Sequence, residues 1–113
     1  MNKIARGEVW NADLDPVRGH EQAGKRPVLI LSVDRFNNSP AELIIVLPIT
    51  TKVKAIPSHI EVLAGEANLK YNCFIKCEDI RSISKERLSS YVGIVSGNTM
   101  KKVEDTVRIL LGL

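Results

Sequence analysis

Two apolar runs set the limits on what this chain can fold into. Residues 27–33 read PVLILSV and residues 43–50 read LIIVLPIT. The first is nearly continuous, as a strand buried on both faces is. The second is rich in β-branched side chains and reads as another buried strand, with Pro48 marking a bulge or a sheet edge. Between them, 34–40 is a turn-rich break with room for a helical turn around Arg35 and Phe36.

Shorter strand signals surround this pair. Residues 7–14 alternate loosely through Val9 and Trp10 and end at Asp15-Pro16, because proline cannot extend a ladder. Residues 15–25, DPVRGHEQAGK, form a polar loop longer than the roughly two to five residues of a simple hairpin. Loops of that length are often functional. Residues 58–63 alternate, so one face is wet; 64–72 is a loop; 73–77 is a strand. Residues 80–84 and 88–95 are two further strands around the Lys85-Glu86 turn. The end of the chain changes period. Met100, Val103, Val107 and Leu110 recur at helical spacing, with Lys101, Lys102, Glu104, Asp105 and Arg108 on the other face. Ser96 or Asn98 caps this helix, no acid three residues on completes a capping box, and Gly112 suits its end. Strands followed by one terminal helix predict a mainly β fold, a small twisted sheet or barrel with the helix packed on it. The 113 residues suit a single domain, 1–113.

Aromatic residues make up only 4% of the chain, so Val, Ile and Leu must build the core. A net charge of +3 does not identify a nucleic-acid binder; local placement decides. No acid lies between Glu42 and Glu61, where Lys52 and Lys54 fall. Arg18, Lys25, Arg26 and Arg35 crowd a second stretch, diluted by Glu21 and Asp34. Cys73 and Cys77 are too few for a zinc site and, four apart in a strand, face one side as buried or half-buried thiols. No signal peptide is visible, and no apolar run approaches the ~20 residues of a membrane span. The expectation is a cytoplasmic protein.

No nucleotide-binding loop, nucleophile elbow or metal-spaced histidine pair is present, so no cofactor or metal is expected. His20 and His59 both lie in polar contexts and fit ordinary surface or hydrogen-bonding roles. His20 stands out more, beside Glu21 in the glycine-bracketed loop. Arg26 ends that loop directly before a buried strand. Its planar, permanent charge suits a phosphate there, while a plain surface arginine or an ion pair with Glu21 fits as well. Thr50 places a hydroxyl at the exit of the other buried strand, where an ordinary strand threonine would also sit. Together they could put a cation and a hydroxyl beside one phosphodiester.

The opening segment RGEVWNADLDPVRGHEQAGKRPVLILS resembles the start of MazF/PemK toxins. The matching parts are Gly7-Glu8-Val9, Glu21-Gln22, Gly24 and Arg26-Pro27. LPITTK is similar to the family's strand that ends in a catalytic threonine, here Thr50. IPSHIEV, EDIRSISKERL and the terminal helix follow in the family's order, so the resemblance covers almost the whole chain. It implies a small, partly open SH3-like barrel of the CcdB/MazF/PemK type, forming a homodimer. It implies a toxin of a type II toxin–antitoxin system that cuts single-stranded RNA at a short sequence without a metal. An antitoxin whose C-terminal segment covers the RNA groove is implied too. Arg26 and Thr50 would stabilise the phosphate under attack by the neighbouring 2′-hydroxyl, and Glu21 would orient Arg26 or act as base. Candidate RNA contacts are His20, Gln22, Lys25, Lys52, Lys54 and Arg81. His20 stands where relatives often carry a small residue, and Lys25 where some carry histidine. Two other readings compete: a gyrase poison of the CcdB type, or a catalytically silent RNA- or antitoxin-binding module. The first acts through a tryptophan near the C-terminus. This chain ends Leu110-Leu111-Gly112-Leu113, and its only tryptophan is Trp10.

Overall fold

In the computed structural model, which describes residues 3–113, seven strands form an antiparallel sheet that curls without closing. The strands are β1 (Glu8–Asp13), β2 (Lys25–Ile30), β3 (Leu43–Thr50), β4 (His59–Val62), β5 (Cys73–Lys76), β6 (Arg81–Ser84) and β7 (Leu88–Ile94). Their order is β4-β5-β3-β2-β1-β7, with β6 paired to β3 off that path. A short helix α1 (Asp34–Asn37) fills the predicted break, and α2 (Gly97–Leu111) closes the chain. The result is the expected mainly β, partly open SH3-like barrel with a C-terminal helix.

The two apolar runs occupy the centre, as their composition requires. Alternation sends Leu29, Leu47 and Ile49 into one core cluster, with Val103 and Val107 of α2. It sends Val28, Ile30, Ile44 and Val46 into a second cluster with Leu14 and Ile83. Two cores, one on each face of β2 and β3, are why neither strand alternates with polar residues.

Pro48 sits at neither an edge nor a bulge, contrary to expectation. On one side β3 pairs β2, Val28 opposite Pro48. On its other side β3 changes partner: β6 covers Leu43 to Val46, and β5 takes Ile49 and Thr50. Ile45 donates its N–H to Ser32 Oγ and offers its carbonyl to Leu31, so odd positions face the β2 side. Alternation turns the nitrogen of Pro48 into the gap between β6 and β5, where no ladder bond is lost.

The 64–72 loop is more structured than expected. It contains a 3₁₀ turn, Glu66–Asn68, with Ala67 and Asn68 in the left-handed region (φ 53° and 60°). This turn lies directly on β7: Asn68 Nδ2 donates to Val92 O at 2.9 Å. A Cβ added to Gly93 would meet Ala67 O at 2.4 Å. Glu66 also supplies the acid that the local capping box lacks. Ser96 is the N-cap and accepts from Thr99 N at 3.1 Å. Glu66 Oε2 accepts from Ser96 N at 3.0 Å and from Thr99 Oγ1 at 2.6 Å. Burial pushes the Glu66 carboxyl up, but those hydrogen bonds and nearby Lys102 outweigh it and hold it below the ordinary range. A depressed carboxylate stabilises the fold at neutral pH, and that contribution is lost as pH falls through the folded-state value. Glu66→Ala should therefore lower stability by about 1 kcal/mol, the usual cost of a lost cap, measured as a lower urea midpoint at pH 7. No difference at pH 7 would show that the cap does not need it.

The helix buries a narrower face than its pattern suggests. Val103 and Val107 are buried, but Leu110 is 45% exposed. Cys73 and Cys77 are both buried, unbridged and in one core, as expected. Burial, with Glu78 close by, pushes the Cys77 thiol up to about 12, so it stays protonated. Among the described residues, no helix is long and apolar enough to cross a membrane.

Candidate active site

Three pieces of chain meet around a cavity of about 320 Å³. They are the loop between β1 and β2, the exit of β3 with the segment after it, and the β4–β5 hairpin. The loop is long but tied down. Leu14 N donates to Gly24 O at 3.0 Å across its neck, and Gly24 N donates to Asp15 Oδ1 at 3.0 Å. Asp79 reaches over from the turn after β5 and accepts from Gln22 N at 2.9 Å. These bonds hold 19–23 against the cavity as a wall.

Arg26 rises from β2 opposite Ala12, and Lys25 opposite Asp13. Strand alternation sends neighbouring side chains to opposite faces. Arg26 therefore lines the cavity, and Lys25 does not. Arg26 Nε donates to Ala23 O at 3.3 Å, the one hydrogen bond its guanidinium makes among the described residues. The ion pair with Glu21, one of the alternatives for Arg26, is not formed among the described residues. Glu21 Oε1 instead accepts from the Arg18 amide within its own turn. Glu21 still lines the cavity, as do His20 and Gln22.

Thr50 ends β3 at the cavity floor and is 4% exposed. Its Oγ1 accepts from Lys52 N at 3.1 Å, which leaves the hydroxyl proton to point elsewhere. Lys52 and Lys54 line the cavity too. Arg81 does not. Its Nη1 donates to Leu14 O at 3.1 Å, so it braces the start of the loop rather than facing the groove.

Two residues join this site that the sequence did not single out for it. β4 pairs β5 with His59 opposite Lys76 and Ile60 opposite Ile75, and Ile49 of β3 also lies opposite Ile75. The isoleucines point into the core, so His59, Lys76 and Thr50 share the other face. The alternation of 58–63 was legible and set His59 opposite the buried Val62. The pairing that brings it beside Thr50 is long-range and left no local sign. The His59 side chain is only 2% exposed, with Nε2 at 2.8 Å from Glu78 Oε2. Ser58 Oγ donates to Glu78 Oε1 at 2.8 Å. Burial raises the Glu78 carboxyl, but its own backbone amide, Ser58 and His59 outweigh it, so Glu78 titrates below the ordinary range.

The cavity thus brings a fixed guanidinium, a floor hydroxyl and three lysines around a space the size of a nucleotide fragment. A set of this kind offers positive charge and directed hydrogen bonds to an anion such as a phosphate. Among the described residues, no three His, Cys, Asp or Glu side chains converge as a metal site would require.

Residues 5–111 match the family described as "PemK-like, MazF-like toxin of type II toxin-antitoxin system". Endoribonuclease MazF9 of Mycobacterium tuberculosis is 35% identical, over 97% of this chain and 98% of its own length. Endoribonuclease MazF of Staphylococcus saprophyticus is 39% identical, over 97% and 92%. Among solved structures, an endoribonuclease in complex with its cognate antitoxin from Mycobacterial species superposes with a TM-score of 0.79. The two share 24% identity, with 97% of this chain and 96% of that one covered.

Proposed function

The chain belongs to the PemK-like, MazF-like toxin family and is an endoribonuclease toxin of a type II toxin–antitoxin system, and we propose that it cuts single-stranded RNA, without a metal, in the cavity that holds Arg26 and Thr50. The observation that carries this reading is the state of those two groups. Arg26 has terminal nitrogens with no protein acceptor among the described residues, and Thr50 has a buried hydroxyl with a free proton, both on one cavity. Both are donors in search of an acceptor, and a phosphoryl group supplies several.

RNA carries a nucleophile of its own, so the donors of this cavity need only stabilise the charge that develops. The 2′-hydroxyl next to the scissile phosphate attacks in line, negative charge grows on the phosphoryl oxygens, and the 5′-oxygen leaves. Arg26 and Thr50 stabilise the growing charge. Such preorganised donors each contribute about 3 kcal/mol to lowering a barrier. The products are a 2′,3′-cyclic phosphate and a 5′-hydroxyl. Glu21, His20, Gln22, Lys52 and Lys54 line the path along which flanking nucleotides lie. Lys25 and Arg81 contribute outside the cavity, at most to the approach of the backbone.

A cognate antitoxin is the protein partner, as in the mycobacterial complex. A second copy of the chain is the other. Tyr91 and Ile94 on β7, the end strand of the sheet, are 51% and 56% exposed, and an isologous contact would cover them. An RNA substrate and an antitoxin partner both fit a protein that acts in the cytoplasm. Neither a gyrase poison nor a silent binding module is favoured, since the matched relatives are endoribonucleases across nearly the full chain.

Incubation with a long RNA in excess EDTA tests the reading. Discrete cuts ending in cyclic phosphate are expected, and an oligonucleotide carrying 2′-deoxyribose at the cut position should remain intact. Cleavage of the deoxy substrate would rule out attack by the 2′-hydroxyl.

A further inference from the structure

The mechanism above needs a group to take the proton of the attacking 2′-hydroxyl, and an arginine, permanently protonated, cannot do so. We propose that Nδ1 of His59, backed by Glu78, is that general base. The inference rests on the RNA-cleavage reading and extends it by one residue.

The tautomer is fixed by geometry. Glu78 is an acceptor, so the 2.8 Å contact makes Nε2 of neutral His59 the protonated nitrogen. The lone pair is then on Nδ1. That atom is buried and has no hydrogen-bond partner among the described residues. An unsatisfied buried acceptor is costly and uncommon, and sites of chemistry are where such groups persist. His59 is one of the residues that line the same cavity as Arg26 and Thr50. It sits on β4, two strand spacings from β3, roughly 10 Å across the sheet. A nucleotide spans that gap, with its phosphate on Thr50 and Arg26 and its ribose toward His59.

A nucleobase-reading acceptor would need only the lone pair. The carboxylate behind the ring argues for proton transfer, because it stabilises the imidazolium that forms as the proton arrives. Glu21, the carboxylate that lines this cavity, already accepts from the Arg18 amide through Oε1 and carries no imidazole to relay a proton. Nδ1 has no surface open to solvent in the free protein, so substrate entry must part the side chains over it. Lys54 and Lys76 border both this cavity and the adjoining one that Glu78 and Asp79 line. Catalytic contacts commonly tighten only once substrate is bound.

The proton balance closes. The O2′–H bond breaks, its proton goes to Nδ1, and its electron pair forms the O2′–P bond. The P–O5′ bond breaks, O5′ takes a proton from water, and the hydroxide so formed takes the proton from His59. The enzyme ends unchanged.

The test uses the full-length protein and an RNA oligonucleotide containing one wild-type cut site. His59→Gln should lower kcat by about 100-fold or more, with KM changed less than threefold and the cut position unchanged. The wild-type pH–rate profile should show an acid limb, where the rate falls as the base takes a proton. That limb should be absent in His59→Gln and present in His20→Gln, the only other histidine variant available. Glu78→Gln should move the limb to lower pH, since loss of the negative charge makes the imidazole less basic. The groups whose charge also bears on the ring are Lys54, Lys76, Glu21, His20 and Asp79. Added imidazole should restore part of the rate of His59→Ala. Activity within threefold of wild type in a folded His59→Gln, an unshifted limb in Glu78→Gln, or new cut positions would overturn the proposal. Cyclic-phosphate chemistry in the wild type would survive any of these results, so the two readings fail separately.

Discussion

Arg26→Ala should cut the rate of RNA cleavage by about 100-fold or more, the scale on which a lost preorganised donor is felt. The variant is a clean probe because Arg26 holds up little else. It is half-buried, and the one hydrogen bond of its side chain among the described residues runs to Ala23 O. Its removal leaves no charge stranded in the interior, so stability should move by no more than about 0.5 kcal/mol. Arg26→Lys should also lose most of the activity, because an ammonium cannot span two phosphoryl oxygens as a guanidinium does. Thr50 is a poorer probe. Its Oγ1 also holds the Lys52 amide, so its loss loosens the segment carrying two lysines. Initial rates on a single-site oligonucleotide, with thermal unfolding alongside, separate the outcomes. A fully active Arg26→Ala would remove the guanidinium from the mechanism.

Gly93→Ala should have the largest effect on stability, a loss of about 3 kcal/mol, at the upper end of overpacking. The added Cβ would fall 2.4 Å from Ala67 O, 2.5 Å from its carbonyl carbon and 2.8 Å from its Cα. All three are backbone atoms, so no side chain can swing aside. The 3₁₀ turn must lift from β7, and it takes with it Glu66, which caps α2. Urea unfolding measures the loss, and a midpoint unchanged from wild type would show that the turn yields at little cost.

The fold was largely visible because its strongest signals are local. The runs at 27–33 and 43–50 are apolar on both faces since both faces meet a core. The helical spacing from Met100 to Val107 follows from packing on one side. What escaped was whatever depends on a remote partner. Pro48 looked like an edge residue because its missing N–H is the usual cost of an edge. Only the change of partner from β6 to β5 removes that cost in mid-sheet. Glu66 had no reason to be linked to Ser96, thirty residues on in the chain. The site divides the same way. Arg26 and Thr50 were legible as strand-end groups, and the family pattern gave them a role. His59 and Lys76 enter through the β3–β5–β4 pairing, which no window of sequence contains. Lys25 and Arg81 were plausible by charge alone, but alternation and the Leu14 carbonyl direct them elsewhere.

Among the described residues, Arg26, Lys52, Lys54 and Lys76 line the cavity against Glu21, with Asp79 3.8 Å from Lys76 at its border. An excess of fixed positive charge in a concave, partly desolvated space concentrates field lines toward solvent. Its consequence is kinetic before it is chemical. Polyanions are drawn in from beyond contact distance, and the encounter slows as ionic strength rises and the Debye length shortens. The same field ranks visitors that are not nucleic acid. If RNA binds here, a basic or neutral peptide would gain nothing at this mouth, whereas an acidic segment long enough to cross it would compete with RNA for the same lysines. How quickly the cleft is silenced is therefore a question of how much negative charge a rival can deliver.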